Sequence, residues 1–230
     1  SVNLASALAQ CEARVGLLDT DIHGPNVPAM LGLIDERFTG SEEEIEPIEV
    51  LPTLKVASVA NIGYDRDAAL IWRGPMKLGI IRQFLGDVVW NDLDYLIIDT
   101  PPGTGDEALT IGQYIKPMTG IVIVTTPQDV ALLDSRKSVD FAAKLEIPVI
   151  GIIENMADSD AVQMFGSGGG ERAAEELGVP FLGRVGLDPA VVRAGDSGRP
   201  YLADHLDGEV AVQLNRIVER IVTWCKGAPA

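Results

Sequence analysis

Short apolar runs alternate along this chain with longer stretches in which apolar residues recur at a helical spacing. The apolar runs lie at residues 15–18, 54–60, 95–98, 121–124, 149–153 and 181–185. The helical spacing is found at residues 2–10, 76–90, 130–145, 171–177 and 209–224. Strands that alternate with helices in this way predict an α/β fold, with a doubly wound, mostly parallel sheet and helices on both faces.

The apolar runs at 95–98, 121–124 and 149–153 are rich in Ile, Val and Leu and show no alternation with polar residues. Such runs are typical of strands that are buried on both faces of a parallel sheet. With 230 residues, the chain is long enough for one sizeable hydrophobic core. We therefore predict a single domain over residues 1–230. One stretch with four glutamates, FTGSEEEIEP at 38–47, breaks both periods and is interpreted as a solvated loop rather than a functional acidic patch.

The charge balance narrows the classes of partner. The chain has 18 Lys and Arg against 34 Asp and Glu, a net charge of −16. This balance argues against nucleic acids and membranes as partners, because anionic surfaces attract Lys and Arg. No apolar run approaches the ~20 residues that a membrane-spanning helix needs. The two cysteines form no closely spaced pair, which favours the reducing cytoplasm over a disulfide framework.

Polar groups follow four of the predicted strands. They are Asp19 and Asp21, the stretch DTPPG at 99–103, the stretch TTP at 125–127, and the pair Glu154 and Asn155. Ligands of doubly wound sheets bind outside the carboxyl ends of the strands. These strand ends are therefore the predicted functional site.

The stretch YLIIDTPPGTGDE, residues 95–107, predicts a nucleotide site. An apolar strand that ends in an aspartate matches the Walker B arrangement, in which Asp99 would hold Mg²⁺ through its water shell. Gly103 would let a backbone N–H approach a terminal phosphate closely. A strand that ends in a plain proline-braced turn is the alternative, and the attached PPGTGD favours the nucleotide site.

The loop DTDIHGPNVP, residues 19–28, then acquires a role. Asp21 would orient the water that attacks the γ-phosphate. For Asp19, at the end of the strand itself, a structural hydrogen-bonded acid and a group on the magnesium side of the site are equally favoured. Gly24 permits a tight turn, and Pro25 and Pro28 restrict the loop.

At this point the sequence resembles the Mrp/ApbC family of P-loop ATPases, relatives of MinD and ParA that are associated with carrying and assembling iron–sulfur clusters. The resemblance runs from residue 16 to 189. It rests on the stretches GLLDTDIHGPNVPAMLG, IWRGPMKLGIIRQFL, WNDLDYLIIDTPPGTGDEALT, IVTTPQDVALLD, GIIENM and FGSGGGERAAEELGVPFLGRVGLDP. The block WRGPM together with DYLIIDTPPGTGDE is specific to this family within the wider class.

The resemblance implies roles by position. Asp21 matches the switch I acid that acts on the water, Asp99 the Walker B acid, and Gly103 part of switch II. Asn155 matches the residue whose amide binds adenine, although from the residues alone a strand-end cap is favoured. The family implies a homodimer that binds ATP and Mg²⁺, hydrolyses ATP, and delivers iron–sulfur clusters to apo iron–sulfur proteins.

The chain departs from the family pattern at its start. Family members carry a glycine-rich loop, GKGGVGKST, just before the helix that is predicted here at 2–10. This sequence opens at Ser1, a few residues later. We therefore expect a fragment that lacks the first strand and the P-loop, with a gap at the centre of its sheet. The chain as given is expected to be impaired as an ATPase, whereas the full-length protein is expected to be active.

The second departure concerns the cluster ligands. Many family members carry Cys-x-x-Cys in the segment that corresponds here to residues 157–164, which hold neither Cys nor His. We interpret Cys225 and Cys11 as half-buried thiols, so the iron–sulfur ligands are unknown. The alternatives are a MinD/ParA-like positioning or regulatory switch that carries no cluster and, were the chain complete, a non-catalytic interaction module. The stretch FGSGGGE is interpreted as a tight turn into a helix, and the helix at 209–224 as one packed on the sheet.

Overall fold

The computed structural model describes residues 1–40, 44–62, 74–159 and 163–227. Three stretches named in the sequence analysis lie partly outside the described residues. The parts outside are residues 41–43 of the acidic stretch, residues 72–73 of the WRGPM block, and residues 160–162 of the segment 157–164.

The order of elements confirms the predicted alternation of strands and helices. The strands are β1 Val15–Asp19, β2 Thr39–Gly40, β3 Ile45–Glu46, β4 Ile48–Leu51, β5 Leu54–Ser58, β6 Tyr95–Asp99, β7 Ile121–Thr125, β8 Val149–Ala157 and β9 Phe181–Gly186. The helices are α1 Val2–Gln10, α2 Val27–Met30, α3 Gly74–Asp87, α4 Asp106–Tyr114, α5 Asp129–Lys144, α6 Gly169–Leu177, α7 Pro189–Asp196, α8 Tyr201–Asp204 and α9 Glu209–Gly227. A single turn of 3-10 helix, Val59–Ile62, follows β5.

These elements divide into two compact units. The first comprises Ser1–Ile115 with Arg193–Asp204, and the second comprises Lys116–Val192 with His205–Ala230.

The first unit is built on a four-stranded sheet in the order β4-β5-β1-β6. β1 pairs in parallel with β5 and β6, whereas β4 is antiparallel to β5. Strands flank β1 on both sides, and every one of its residues is buried. Gly16 in this strand leaves the space that neighbouring side chains fill, since an added Cβ would lie 2.7 Å from Leu93 Cδ1 and 2.8 Å from a ring carbon of Trp90.

The second unit is built on a three-stranded parallel sheet in the order β7-β8-β9. The last helix, α9, packs on β9 as predicted: Val210, Leu214, Ile217 and Ile221 are buried. Arg220 fixes the helix further by donating hydrogen bonds to the carbonyls of Phe181 and Leu182, at 3.2 and 2.9 Å. No helix of the described residues has the length and apolar character needed to cross a membrane.

Several boundaries differ from the prediction. The run at 54–60 ends as a strand at Ser58 and continues as the 3-10 turn, and the helix predicted at 76–90 spans Gly74–Asp87. β8 runs four residues beyond its predicted end at 153, so Glu154 and Asn155 lie inside the strand and not after it. The strand continues because Ala157 still pairs with Gly186 of β9.

Burial also differs from the prediction for two of the three apolar runs. β8 is almost wholly buried, but β6 and β7 are only partly buried. The reason is that each has a single strand neighbour in the described part of the chain, so each is an edge strand of its sheet.

Candidate nucleotide and magnesium site

Three neighbouring strands of the first unit end together in polar side chains. In the parallel pairing, Asp19 at the end of β1 lies opposite Ser58 of β5 and Asp99 of β6. The structure therefore brings two of the predicted site residues, Asp19 and Asp99, to the same edge of one sheet. Asp21 follows directly after β1, at the start of a connection that we call the aspartate loop, residues 20–38.

Asp19 is buried and already has a partner for each of its oxygens. Its side chain is 1% exposed. The Ser58 hydroxyl donates to Oδ2 at 2.9 Å, and the Asp21 N–H donates to Oδ1 at 3.1 Å. Burial raises the pKa of Asp19 to about 7; the Asp99 charge acts in the same direction, and the two hydrogen bonds act against it. The sequence left two roles open for Asp19, a structural acid and a group on the magnesium side of the site. Because both of its oxygens are engaged, the structural role is favoured.

The raised pKa of Asp19 predicts a pH dependence of stability. Because its pKa is about 7 in the folded protein against an ordinary value of 3.8, the folded state holds, between these two pH values, a proton that the unfolded state has released. The free energy of unfolding is therefore expected to fall as the pH rises from about 4 to about 7, with a slope approaching ~1.4 kcal/mol per pH unit. Denaturant titrations of the wild type and of Asp19→Asn across this range measure the slope.

Asparagine is a suitable replacement because it preserves the contacts of Asp19. Its carbonyl oxygen can still accept from Asp21, and its amide can donate to the Ser58 hydroxyl. We expect the slope to flatten in Asp19→Asn. A slope that is unchanged in the variant would show that another group carries it.

Asp21 shapes the start of the aspartate loop. Its Oδ1 accepts hydrogen bonds from the N–H groups of His23 and Gly24, each at 3.1 Å. No described residue donates a hydrogen bond to its Oδ2, and the side chain is partly exposed. One carboxylate oxygen therefore organises the turn, while the other is available to a water molecule.

Pro28 lies in the first turn of α2, where no intrahelical N–H is required.

Asp99 ties the aspartate loop to β6. Its backbone carbonyl accepts from the Thr20 N–H at 2.9 Å and from the Thr20 hydroxyl at 2.6 Å. Its carboxylate accepts from the Ser1 hydroxyl. An aspartate at a strand end offers the hard oxygen atoms that Mg²⁺ prefers, so the chemistry of Asp99 suits the predicted metal contact.

Gly103 lies in the exposed turn between β6 and α4. Its φ of +91° is in the left-handed region, and an added Cβ would meet no atom within 4 Å. Glycine is therefore required by the backbone conformation and not by crowding. α4 begins shortly afterwards, with Gly105 as its N-cap and Asp106 and Glu107 in its first turn.

Asn155 lies in the second unit, within β8. The side chain is partly buried, and the next residue, Met156, has a φ of +57°. This location corrects the expectation of a position just past the strand. Its role toward adenine stays a prediction.

Glu154, beside Asn155, is a functional candidate whose contacts the sequence did not reveal. It is 0% exposed, and its carboxylate accepts from Gly168 N at 2.9 Å and Gly170 N at 2.6 Å. Arg184 Nε lies 3.6 Å away. The stretch FGSGGGE is thus a tight turn into α6, as predicted, and the turn closes around a buried carboxylate. The available signal was the pairing of a strand-end Glu with a glycine-rich turn downstream.

Comparison with known proteins assigns the chain to a family. The model of the ParA family described as "NUBPL iron-transfer P-loop NTPase" matches residues 1–222. The chain belongs to this family. This match confirms the resemblance to P-loop ATPases that was inferred from the sequence. It also confirms the expected class of nucleotide-hydrolysing protein.

Two similar relatives agree with the family assignment. The chain is 48% identical to the iron–sulfur cluster carrier protein of Methanocaldococcus jannaschii, covering 99% of this chain and 80% of the relative. It is 42% identical to the iron–sulfur cluster carrier protein of Saccharolobus solfataricus, covering 96% and 77%.

Solved structures confirm the predicted fold class. A nucleotide-binding protein from Archaeoglobus fulgidus in complex with ADP matches with a TM-score of 0.74 and 33% identity, covering 88% of this chain and 81% of that one. The cell division ATPase MinD of Pyrococcus furiosus matches with a TM-score of 0.70 over 96% and 91%, and at 19% identity it shows the fold alone.

The segment in which many members of the iron-transfer family carry cysteines is held by an aspartate here. Asp158 Oδ1 accepts from the N–H groups of Met164 at 2.7 Å and Phe165 at 2.6 Å. The Asp158 N–H in turn donates to the Gly166 carbonyl at 2.8 Å. Backbone N–H groups hold the pKa of Asp158 below its usual range. Its carboxylate is thus already engaged by backbone N–H groups.

The two cysteines of the chain differ in environment. Cys225 on α9 is half-buried as predicted, and burial raises the pKa of its thiol. Cys11 was predicted to be half-buried but is exposed, because it lies just beyond the last residue of α1. In the part of the chain that the structure describes, no three or more His, Cys, Asp or Glu side chains are grouped to hold a metal ion.

Proposed function

We propose that this protein is a cytoplasmic iron–sulfur cluster carrier that binds and hydrolyses ATP as a homodimer and delivers clusters to apo iron–sulfur proteins. The observation that carries the proposal is the set of aspartates at the ends of β1 and β6, in a chain of the iron-transfer NTPase family. The similarity to iron–sulfur cluster carrier proteins, at 42–48% identity, supports iron–sulfur clusters as the cargo.

The residues of the site divide the work of hydrolysis. Asp99 is proposed to hold Mg²⁺ through water molecules. The bound ion would supply positive charge beside the phosphates. The Oδ2 atom of Asp21 orients the attacking water, while its Oδ1 keeps the turn at His23 and Gly24. Gly103 presents its backbone N–H to the terminal phosphate. Asp19 holds the loop through Asp21 N.

Asn155 is proposed to bind adenine through its side-chain amide, which offers a donor and an acceptor to the base. The neighbouring Glu154 is buried and is fixed by the glycine-rich turn. We infer that this anchoring stabilises the part of β8 that carries Asn155.

The cluster is the cargo of the reaction, and its ligands are a separate question. Thiolates are the usual ligands of iron–sulfur clusters. This chain has two cysteines, and a cluster held by four of these thiolates would take both of them from each of two copies. Cys11→Ser and Cys225→Ser therefore test whether the protein's own thiolates hold the cluster.

Anaerobic reconstitution of the full-length protein tests the proposed function. We expect bound iron and sulfide in proportion to the dimer and transfer of the cluster to an apo-ferredoxin, with a transfer rate that depends on MgATP. A protein that hydrolyses ATP but neither retains iron nor activates the acceptor would contradict the carrier function.

A second candidate function is a MinD/ParA-like switch that carries no cluster. The observation that favours it is that Asp158, in the segment for which the resemblance implies cysteines, is hydrogen-bonded to the backbone of Met164 and Phe165. ATP-dependent binding to DNA or to lipid vesicles, without iron, would support the switch. The net charge of −16 argues against both surfaces.

A further inference from the structure

The end of β5 contacts Asp19, just before the aspartate loop, and the 3-10 turn after β5 contacts the end of that loop. Ser58 is the last residue of β5, and Asn61 lies in the 3-10 turn that follows it. Both side chains are buried, at 0% and 1% exposure. We call this pair the β5 clamp. The resemblance to the Mrp/ApbC family drew attention to neither residue, because the stretch ASVAN carries no recognisable motif.

Ser58 acts on the start of the loop through Asp19. Its hydroxyl donates to Asp19 Oδ2 at 2.9 Å and accepts from the Ala60 N–H at 3.3 Å. With Oδ2 held, the other oxygen of Asp19 faces the Asp21 N–H at 3.1 Å. The orientation of one buried carboxylate thus connects Ser58 to the backbone of Asp21.

Asn61 acts on the end of the loop. Its Nδ2 donates to the carbonyls of Leu33 at 3.0 Å and Glu36 at 3.1 Å. The backbone carbonyl of Asn61 accepts from the Phe38 N–H at 3.3 Å. Two hydrogen bonds from one buried amide tie the backbone at Leu33 and Glu36 to the turn after β5 and so restrain this part of the chain.

Between its two ends the loop buries several apolar side chains, while residues 34–37 are exposed. Ile22, Val27 and Leu31 are buried. The backbone of Gly32 lies directly against Gly198, where an added Cβ would be 2.8 Å from the Gly32 Cα. These contacts restrain the middle of the loop, so we expect a change at either end to affect the position of Asp21.

We propose that Ser58 and Asn61 are positioning residues that hold Asp21 at the geometry required for hydrolysis. The inference rests on the proposed role of Asp21 in orienting the attacking water. The β5 clamp touches neither nucleotide nor water in this assignment; it acts through Asp19 and the loop. A reacting group displaced by about 1 Å loses on the order of a hundredfold in rate, so small shifts of the loop matter for turnover.

The test is a comparison of Ser58→Ala with Ser135→Ala in the full-length protein. Ser135 is also a buried serine, 3% exposed, whose hydroxyl donates within α5 to the Ala131 carbonyl at 3.3 Å. We expect the kcat of Ser58→Ala to fall by about tenfold to a hundredfold, because the loop loses its fixed starting point. The Kd for MgATP should change by less than about threefold, because no binding group is removed. Ser135→Ala should retain both values.

Asn61→Ala tests the other end of the loop independently and is expected to show the same split between kcat and Kd. Values of kcat are normalised to the folded fraction measured by circular dichroism. If Ser58→Ala accumulates unfolded, Ser58→Cys keeps the size of the side chain with a weaker donor. A purely structural role predicts lower stability with an unchanged kcat per folded molecule, and that result would overturn the proposal.

The failure of this inference is distinguishable from failure of the proposed function. If Asp21→Asn retains turnover, the role of Asp21 is wrong, and the clamp loses its basis. If Asp21→Asn is inactive while Ser58→Ala and Asn61→Ala have the same kcat as Ser135→Ala, only the positioning role of the β5 clamp is wrong.

Discussion

Asp21→Asn is expected to lower the kcat for ATP hydrolysis in the full-length protein by about 10²- to 10⁴-fold, while MgATP still binds. The reason lies in the division of labour between the two carboxylate oxygens. Oδ1 accepts from His23 and Gly24 and shapes the turn, and asparagine can keep these bonds with its carbonyl oxygen. The variant therefore loses the charge at Oδ2 and replaces an acceptor with a donor, without removing the contacts that hold the loop.

The measurement is single-turnover hydrolysis together with equilibrium binding of a fluorescent ATP analogue. Asp92→Asn serves as the matched control, because Asp92 is also an aspartate of the first unit but is 92% exposed and lies 3.6 Å from Arg14. Its kcat should equal that of the wild type. Wild-type turnover in Asp21→Asn would refute the assignment of Asp21 to the attacking water.

The strand ends of the site could be predicted from the sequence because their signals are local. An apolar run followed by an aspartate marks both β1 and β6, and each strand ends at the aspartate that the pattern indicates. The partners of these aspartates are not local. Ser58 lies 39 residues from Asp19, and no spacing rule connects an isolated serine to a distant strand end. Their contact depends on the parallel pairing of β1 with β5.

The differences at β8 and α2 have separate physical origins. Glu154 and Asn155 look like polar residues beyond an apolar strand, but pairing with β9 extends the strand to Ala157. Tertiary contacts override the local polarity there. In α2, Pro28 suggests a stiff loop, yet proline is compatible with the first turn of a helix, and a single helical turn forms.

Gly169→Ala is expected to destabilise the second unit by about 3 kcal/mol or more, which is large for the addition of one methyl group. An added Cβ would lie 2.0 Å from the Pro127 carbonyl oxygen and 2.7 Å from its carbonyl carbon. Both neighbours belong to the backbone, so neither can move aside as a side chain could. Either the Pro127 turn after β7 or the start of α6 must shift. Denaturant unfolding measures the loss.

The consequence of such a shift extends to the buried carboxylate. Gly170, the next residue, donates to Glu154 Oε2 at 2.6 Å, so moving the start of α6 weakens the bonds that keep this buried charge hydrogen-bonded. Gly79→Ala is the matched control, because Gly79 lies within α3 and an added Cβ meets no atom within 4 Å. That substitution should stabilise the protein by about 0.5–1 kcal/mol, since alanine loses less backbone entropy in a helix. The same methyl group is thus expected to act with opposite sign at the two positions, and equal stability of the two variants would contradict the crowding argument.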